Sequence, residues 1–179
     1  RRRALLLRAA LLIAGGALFA FREKILGLGP VVETAVAARA AGILLILVDR
    51  MADGVPGKEF LTFIGSNFVQ YILEQHPDYE VVNLDALTYA GSLKNLAEVK
   101  NNPKHKFIQG RIEDGRLVDK LMTGIDVVIN FAAESHVDRS ILEPQVFVTT
   151  NVLGTQVLLD AAVRHRVNLF YQISTDEVY

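Results

Sequence analysis

The chain has 179 residues, of which 51% are hydrophobic and 22% charged, with a formal net charge of −1 and no cysteine. That length suits one domain with a sizeable core, and the near-neutral charge gives no global basic field for nucleic acid, so binding must come from a local site. Without cysteine there are no disulfides, thiol nucleophiles or thiolate metal sites, and His76, His105, His136 and His165 show no HxxxH or HExxH spacing, so no metal site is expected.

Composition divides the chain into residues 1–58, an apolar Ala/Leu-rich and basic segment of doubtful structure, and residues 59–179, which have ordinary globular character. Arg1-Arg2-Arg3 precedes the apolar run 4–21, about the minimum length for a membrane span, and a basic flank before such a run also suits a signal sequence or anchor. Arg8 counts against both, because a charge at mid-span costs roughly 2.5–3.5 kcal/mol on insertion scales. With neither a helix cap nor a turn pattern tying this segment to the rest of the chain, three readings stand: extraneous or out-of-frame sequence, a membrane or targeting segment, and a packed helix.

Residues 42–49 form a short apolar run that suits a first buried strand or another piece of the doubtful segment, and Asp53-Gly54-Val55-Pro56-Gly57 reads as loop. An amphipathic helix is expected over 64–75, with Phe68, Val69, Ile72 and Leu73 on its apolar face and His76-Pro77 as its stop. A strand over 80–84 ends at Asp85, and a polar connection from Thr88 to Ser92 leads to a short helix over 93–99. Next come a strand over 106–110, a helix over 116–122 stopped by Gly124, and a strand over 126–131. Pro144 opens a long helix through Ala162, with Val148, Val152, Thr155, Leu159 and Ala162 on one face and Leu153, Val157 and Leu158 on another. Two apolar faces call for two partners, the sheet on one side and another helix or a second subunit on the other. Residues 168–173 supply the last strand.

This alternation predicts an α/β fold, a partial Rossmann-like doubly wound parallel sheet with the C-terminal ends of all its strands on one edge. Gly65, Asp85, the cluster from Ala133 to Arg139, and Thr175-Asp176-Glu177 all fall along that edge, where ligands bind in such sheets. Asp85 follows Gly65 by 20 residues, the spacing at which a dinucleotide fold places an acid on the adenosine ribose. A GxxGxxG frame ending at Gly65 would, however, need glycines where Glu59 and Thr62 stand. Small Ala132 and Ala133 would let backbone approach a flat ligand, while Glu134, Ser135, His136, Asp138 and Arg139 offer acids, donors and a guanidinium. The competing reading makes these clusters helix N-termini, capped by Ser135 or Asp138 and by Thr175 or Asp176.

Five runs carry a family resemblance: Phe63-Ile64-Gly65-Ser66-Asn67-Phe68, Asn83-Leu84-Asp85-Ala86-Leu87-Thr88-Tyr89-Ala90-Gly91, Phe131-Ala132-Ala133-Glu134-Ser135-His136-Val137-Asp138-Arg139-Ser140, Asn151-Val152-Leu153-Gly154-Thr155 and Ile173-Ser174-Thr175-Asp176-Glu177-Val178-Tyr179. From Phe63 onward the sequence resembles the nucleotide-sugar 4,6-dehydratase family of the extended short-chain dehydrogenases/reductases. The resemblance implies a cytoplasmic, homodimeric, NAD-dependent lyase that converts dTDP-glucose to dTDP-4-keto-6-deoxyglucose through transient oxidation at C4. It places Phe63, Ile64, Gly65, Asp85, Thr88, Ala132, Ala133 and Glu134 on the cofactor, and Ser135, His136 and Arg139 on the nucleotide sugar. Thr175 would hydrogen-bond the C4 oxygen, Asp176 would be the acid for the departing hydroxyl and Glu177 the base for the C5 proton, their pKa values separated by burial and mutual repulsion.

The chain departs from the family's pattern at Glu59 and Thr62, in the lack of a strand leading directly into the turn, at Arg111, which replaces a family Asp near the adenine, and in stopping at Tyr179, before the family's Tyr-x-x-x-Lys pair. As written it is expected to be inactive or nearly so. The alternatives are a non-catalytic nucleotide-binding or dimerisation remnant, and a protein tethered to a membrane through residues 4–21.

Overall fold

The computed structural model describes residues 43–47, 62–88, 93–134 and 137–174. Five parallel strands form one sheet in the order β3-β2-β1-β4-β5: β1 (Ile43–Leu47), β2 (Glu80–Asp85), β3 (His105–Gln109), β4 (Val127–Asn130) and β5 (Leu169–Gln172). The apolar run with two possible readings is therefore the central strand, with Leu44 opposite both Val81 and Val127. The sheet thus takes its middle from upstream of residue 58. The apolar run 4–21 lies outside the described residues.

Side-chain alternation along the strands feeds two cores. On one face, Val81 of β2, Val127 and Ile129 of β4, and Leu169 and Tyr171 of β5 pack against Phe68, Val69, Ile72 and Leu73 of α1 (Thr62–Gln75), joined by Leu96 from a single 3-10 turn (Leu93–Leu96). The opposite face carries Leu84, Val128 and Phe170, covered by Val118 of α2 (Gly115–Leu121) and Met122 at its C-cap and by Leu158, Ala161 and Ala162 of a later helix. Phe68, Ile72, Ile129 and Leu158 are fully buried, and each large apolar side chain removed from water contributes roughly 1.5–3 kcal/mol. Asp114 caps α2 by accepting from the N–H groups of Arg116 and Leu117, and Gly124 beyond it takes a left-handed φ of 81° that glycine adopts without strain.

After β4 comes a short helix, α3 (Val137–Leu142), whose first turn contains Asp138. The expected long helix then runs as three pieces: α4 (Pro144–Phe147), a π-helical stretch (Val148–Gly154) and α5 (Thr155–His165). The π-helical stretch overturns the expected faces. Its i→i+5 hydrogen bonding shifts the phase of the helix, so Val148, Val152 and Leu153 are exposed while Leu158, Ala161 and Ala162 enter the core. At the far end, Asp119 of α2 receives Arg164 and His165 of α5, each at 3.0 Å; these bonds, His165 foremost, hold its carboxyl below the usual carboxylate range.

Candidate functional site

The C-terminal ends of parallel strands open onto one edge, and there the structure gathers Asp85, residues 131–134 and the residues just beyond β5. Asp85 closes β2 with its carboxylate buried. Burial pushes the carboxyl up to about 6, opposed by a 2.7 Å hydrogen bond that Oδ1 accepts from the Leu87 N–H. To donate that bond Leu87 adopts a left-handed φ of 48°, a conformation that costs a branched side chain about 1–2 kcal/mol. Strain of this kind concentrates at functional positions. The Asp85 carbonyl accepts from the Gly110 N–H at 3.0 Å, tying the ends of β2 and β3 together, and Thr88 is half-buried nearby in the chain. Two residues earlier on the same face of the strand, Asn83 is buried with neither its Nδ2 nor its Oδ1 bonded.

Three carboxamides organise the other side of the edge. Asn130, the last residue of β4, is fully buried; its Oδ1 accepts from the Ala132 N–H at 3.0 Å and its Nδ2 donates to Oε1 of Gln172 at 2.9 Å. Asn151, on the π-helical stretch, accepts from the Glu134 N–H at 2.7 Å and returns Nδ2 to the Glu134 carbonyl at 2.8 Å. The short loop carrying Ala132, Ala133 and Glu134 is therefore pinned at alternate residues. Phe131 also packs on Phe68 of α1, with ring centroids 5.4 Å apart. A wider π turn at the point where a helix reaches into a site is a recurrent functional feature.

Phe63, Ile64 and Gly65 lie in the first turn of α1, with Gly65 buried. The stretch joining β1 to α1, Glu59 included, lies outside the described residues. Arg139 on α3 pairs with Glu143 at 2.7 Å, and Arg111 beyond β3 pairs with Glu113 at 2.9 Å, so both guanidinium groups have a carboxylate beside them. Ser135, His136, Thr175, Asp176 and Glu177 lie outside the described residues. Sequence reasoning assigned no site role to Asn130, Asn151 or Gln172; Asn151 falls in a quoted motif, but nothing in that run announces that it grips a backbone 17 residues away. Among the described residues, no group of three or more His, Asp or Glu could hold a metal ion.

A parallel sheet in this order, with a buried acid ending its second strand and a small-residue loop ending its fourth, defines a Rossmann-type dinucleotide fold. The residues fit a nucleotide cofactor: Asp85 offers a buried carboxylate at the end of β2, and Asn83 is a buried polar group left without a partner. Residues 61–179 match the family model described as GDP-mannose 4,6 dehydratase, and the chain belongs to that family. It is 60% identical over 117 residues to the low-salt glycan biosynthesis protein Agl12 of Haloferax volcanii, covering 65% of this chain and 37% of that protein. To a dTDP-glucose 4,6-dehydratase of Streptomyces antibioticus it is 54% identical over 122 residues, covering 65% and 36%. Among solved structures it is similar to the dTDP-glucose 4,6-dehydratase DesIV of Streptomyces venezuelae with NAD and TYD bound, at a TM-score of 0.65 and 45% identity over 76% of this chain and 40% of that one. The chain thus spans little more than a third of the length of these curated relatives.

Proposed function

We propose that this chain supplies the NAD-binding and acid/base elements of a nucleotide-sugar 4,6-dehydratase acting on dTDP-glucose. The observation that carries the reading is the buried Asp85 carboxylate at the end of β2, beside an orphaned Asn83 and across the edge from the pinned loop at 132–134. Asp85 would accept the adenosine ribose hydroxyls, and Thr88 would lie beside them. Ala132, Ala133 and Glu134 would present backbone to the cofactor, and Gly65 with Phe63 and Ile64 would let the start of α1 approach its pyrophosphate, where helix N–H groups favour anions.

NAD, when bound, would supply the hydride chemistry, accepting hydride from C4 of the sugar and giving it back at C6 once water has left, with a proton returning to C5, so that the cofactor ends unchanged. With C4 at the ketone level, the C5 proton becomes acidic. Glu177 would take that proton while Asp176 gives one to the C6 hydroxyl, which leaves as water, and Thr175 would hold the C4 oxygen. Ser135, His136 and Arg139 would face the nucleotide sugar. A homodimer in the cytoplasm completes the proposal, and the exposed apolar residues Val148, Val152 and Leu153 suit a second subunit. The helix Pro144–His165 is by length and composition able to span a membrane, but Leu158, Ala161 and Ala162 are packed in the core and Arg164 and His165 are ion-paired, which favours its role as a packing helix.

The test is calorimetric titration of the chain with NAD, then with dTDP-glucose, and an assay for the 4-keto product. Saturable NAD binding that Asp85→Ala weakens tenfold or more supports the cofactor reading, and product formation supports the dehydratase. Binding without turnover would favour the competing class, a non-catalytic nucleotide-binding module; absence of NAD binding to a cooperatively folded chain would reject both.

A further inference from the structure

We propose that Gln172 and Asn130 are positioning residues that form a one-way hydrogen-bond relay, setting the segment after β5 relative to the loop after β4. The inference rests on the functional reading above for its consequence and on geometry alone for its existence. Asn130 and Gln172 are register partners at the ends of adjacent parallel strands, and both side chains project to the face covered by α5. The relay begins at a backbone donor. The Ala132 N–H can only donate, so the atom of Asn130 that faces it must be Oδ1, and Nδ2 is thereby turned toward Gln172. Nδ2 can only donate in its turn, which makes the facing atom of Gln172 its oxygen. The remaining Nε2 of Gln172 then donates to the Ile173 carbonyl at 3.0 Å.

Reversing either carboxamide would set donor against donor at one end and oxygen against oxygen at the other. One backbone N–H thus fixes the direction of a carbonyl 41 residues later in the chain, just before Ser174-Thr175-Asp176-Glu177. The Ile173 N–H, donating to the Asn130 carbonyl at 2.9 Å, anchors the same residue from its other side. Since Asn130 is fully buried, water does not substitute for its partners without cost. Functionally, the proposed cofactor loop and Ile173, the residue two before the proposed acid/base run in the sequence, are held against one another by this pair rather than separately by their own strands.

Gln172→Glu separates positioning from mere packing. At neutral pH the introduced carboxylate still accepts from Asn130 but has no hydrogen for the Ile173 carbonyl; protonated at lower pH, it regains one. Gln172→Met has no donor at any pH. Amide hydrogen exchange of Ser174 and Thr175 in the full chain is compared with the parent at each pH. The expected result is exchange at least tenfold faster in both variants at pH 7.5, returning toward the parent as pH falls in Gln172→Glu and remaining fast in Gln172→Met. Exchange equal to the parent in both variants at pH 7.5, or loss in Gln172→Glu that is independent of pH, overturns the relay. NAD titration of the parent chain decides the functional reading separately: a chain that binds no NAD yet shows the pH-reversible exchange keeps the relay and loses the cofactor.

Discussion

Burying Asp85 at the end of β2 has a thermodynamic cost. Its carboxyl is raised from 3.8 to about 6 in the folded chain, so between those values the folded state binds a proton that the unfolded state has released. Stability contributed at low pH is therefore lost as pH rises through this window, by about 3 kcal/mol in all. Asp85→Asn is expected to raise the denaturation midpoint at pH 7 and to flatten the fall in stability between pH 4 and 6, as urea titrations at several pH values would show. The same substitution should weaken NAD binding, and in the parent chain NAD affinity should climb from pH 5 to 7 as the carboxylate ionises. A second residue-scale prediction concerns Asn151. Replacing it with Ala leaves both backbone groups of Glu134 without their partner, which should cost about 1–3 kcal/mol by chemical denaturation and speed amide exchange at residue 134. Asp85 was legible in the sequence because its signal is local, an acid ending an apolar run at a fixed distance from a glycine. Asn130, Asn151 and Gln172 were not, since their partners lie 2, 17 and 42 residues away and a carboxamide looks the same in a turn, a cap or a relay.

At the level of elements, the π-helical stretch Val148–Gly154 does what neither flanking helix does alone. It carries Asn151 to the strand edge and brings Gly154 against Ile112, so closely that a Cβ there would lie 2.6 Å from both Cγ1 and Cδ1 of that side chain. Gly154→Ala is expected to destabilise by about 1–3 kcal/mol, and Ile112→Val in the same chain to recover part of it by removing the nearest methyl. Thermal melts of the two single variants and the double would show whether they couple. The end of α5 offers a change in the other direction. Arg166 caps that helix with a left-handed φ of 59°, so Arg166→Gly should stabilise by several tenths of a kcal/mol to about 1 kcal/mol in the same melts. The existence and order of these helices could be read from apolar spacing and from Pro144, whereas the phase of the longest could not. A period of 3.6 residues cannot register a widened turn, so Val148 and Val152 were grouped on one face with Ala162, which is buried while they are exposed.

Over the whole molecule, the strand order depends on a segment whose role was ambiguous in the sequence. Residues 42–49 had the composition of a strand, but the next helix begins only at Thr62, so no strand–turn–helix signature tied the two together. The remaining strands were readable because each is a short β-branched run bounded by polar or turn residues. Since β1 pairs with β2 on one side and β4 on the other, removing residues 1–58 should leave two strand pairs without a centre. Circular dichroism melts are expected to lose their cooperative transition in that deletion, while a deletion ending before Ile43 keeps all five strands and should still unfold as one unit.

The same placement governs how the chain reaches its native state. The strand Ile43–Leu47 cannot be satisfied until both Glu80–Asp85 and Val127–Asn130 have been made, so every contact at the middle of the sheet is a distant one along the chain. Parallel pairings of that kind form slowly, because the entropy of closing long loops must be met before the contacts reward it. During the interval Ile43–Leu47 is an uncharged apolar strand with two open edges, the type of segment that pairs with another chain as readily as with its own. Refolding yield should therefore fall steeply with protein concentration, and recover when refolding is carried out dilute.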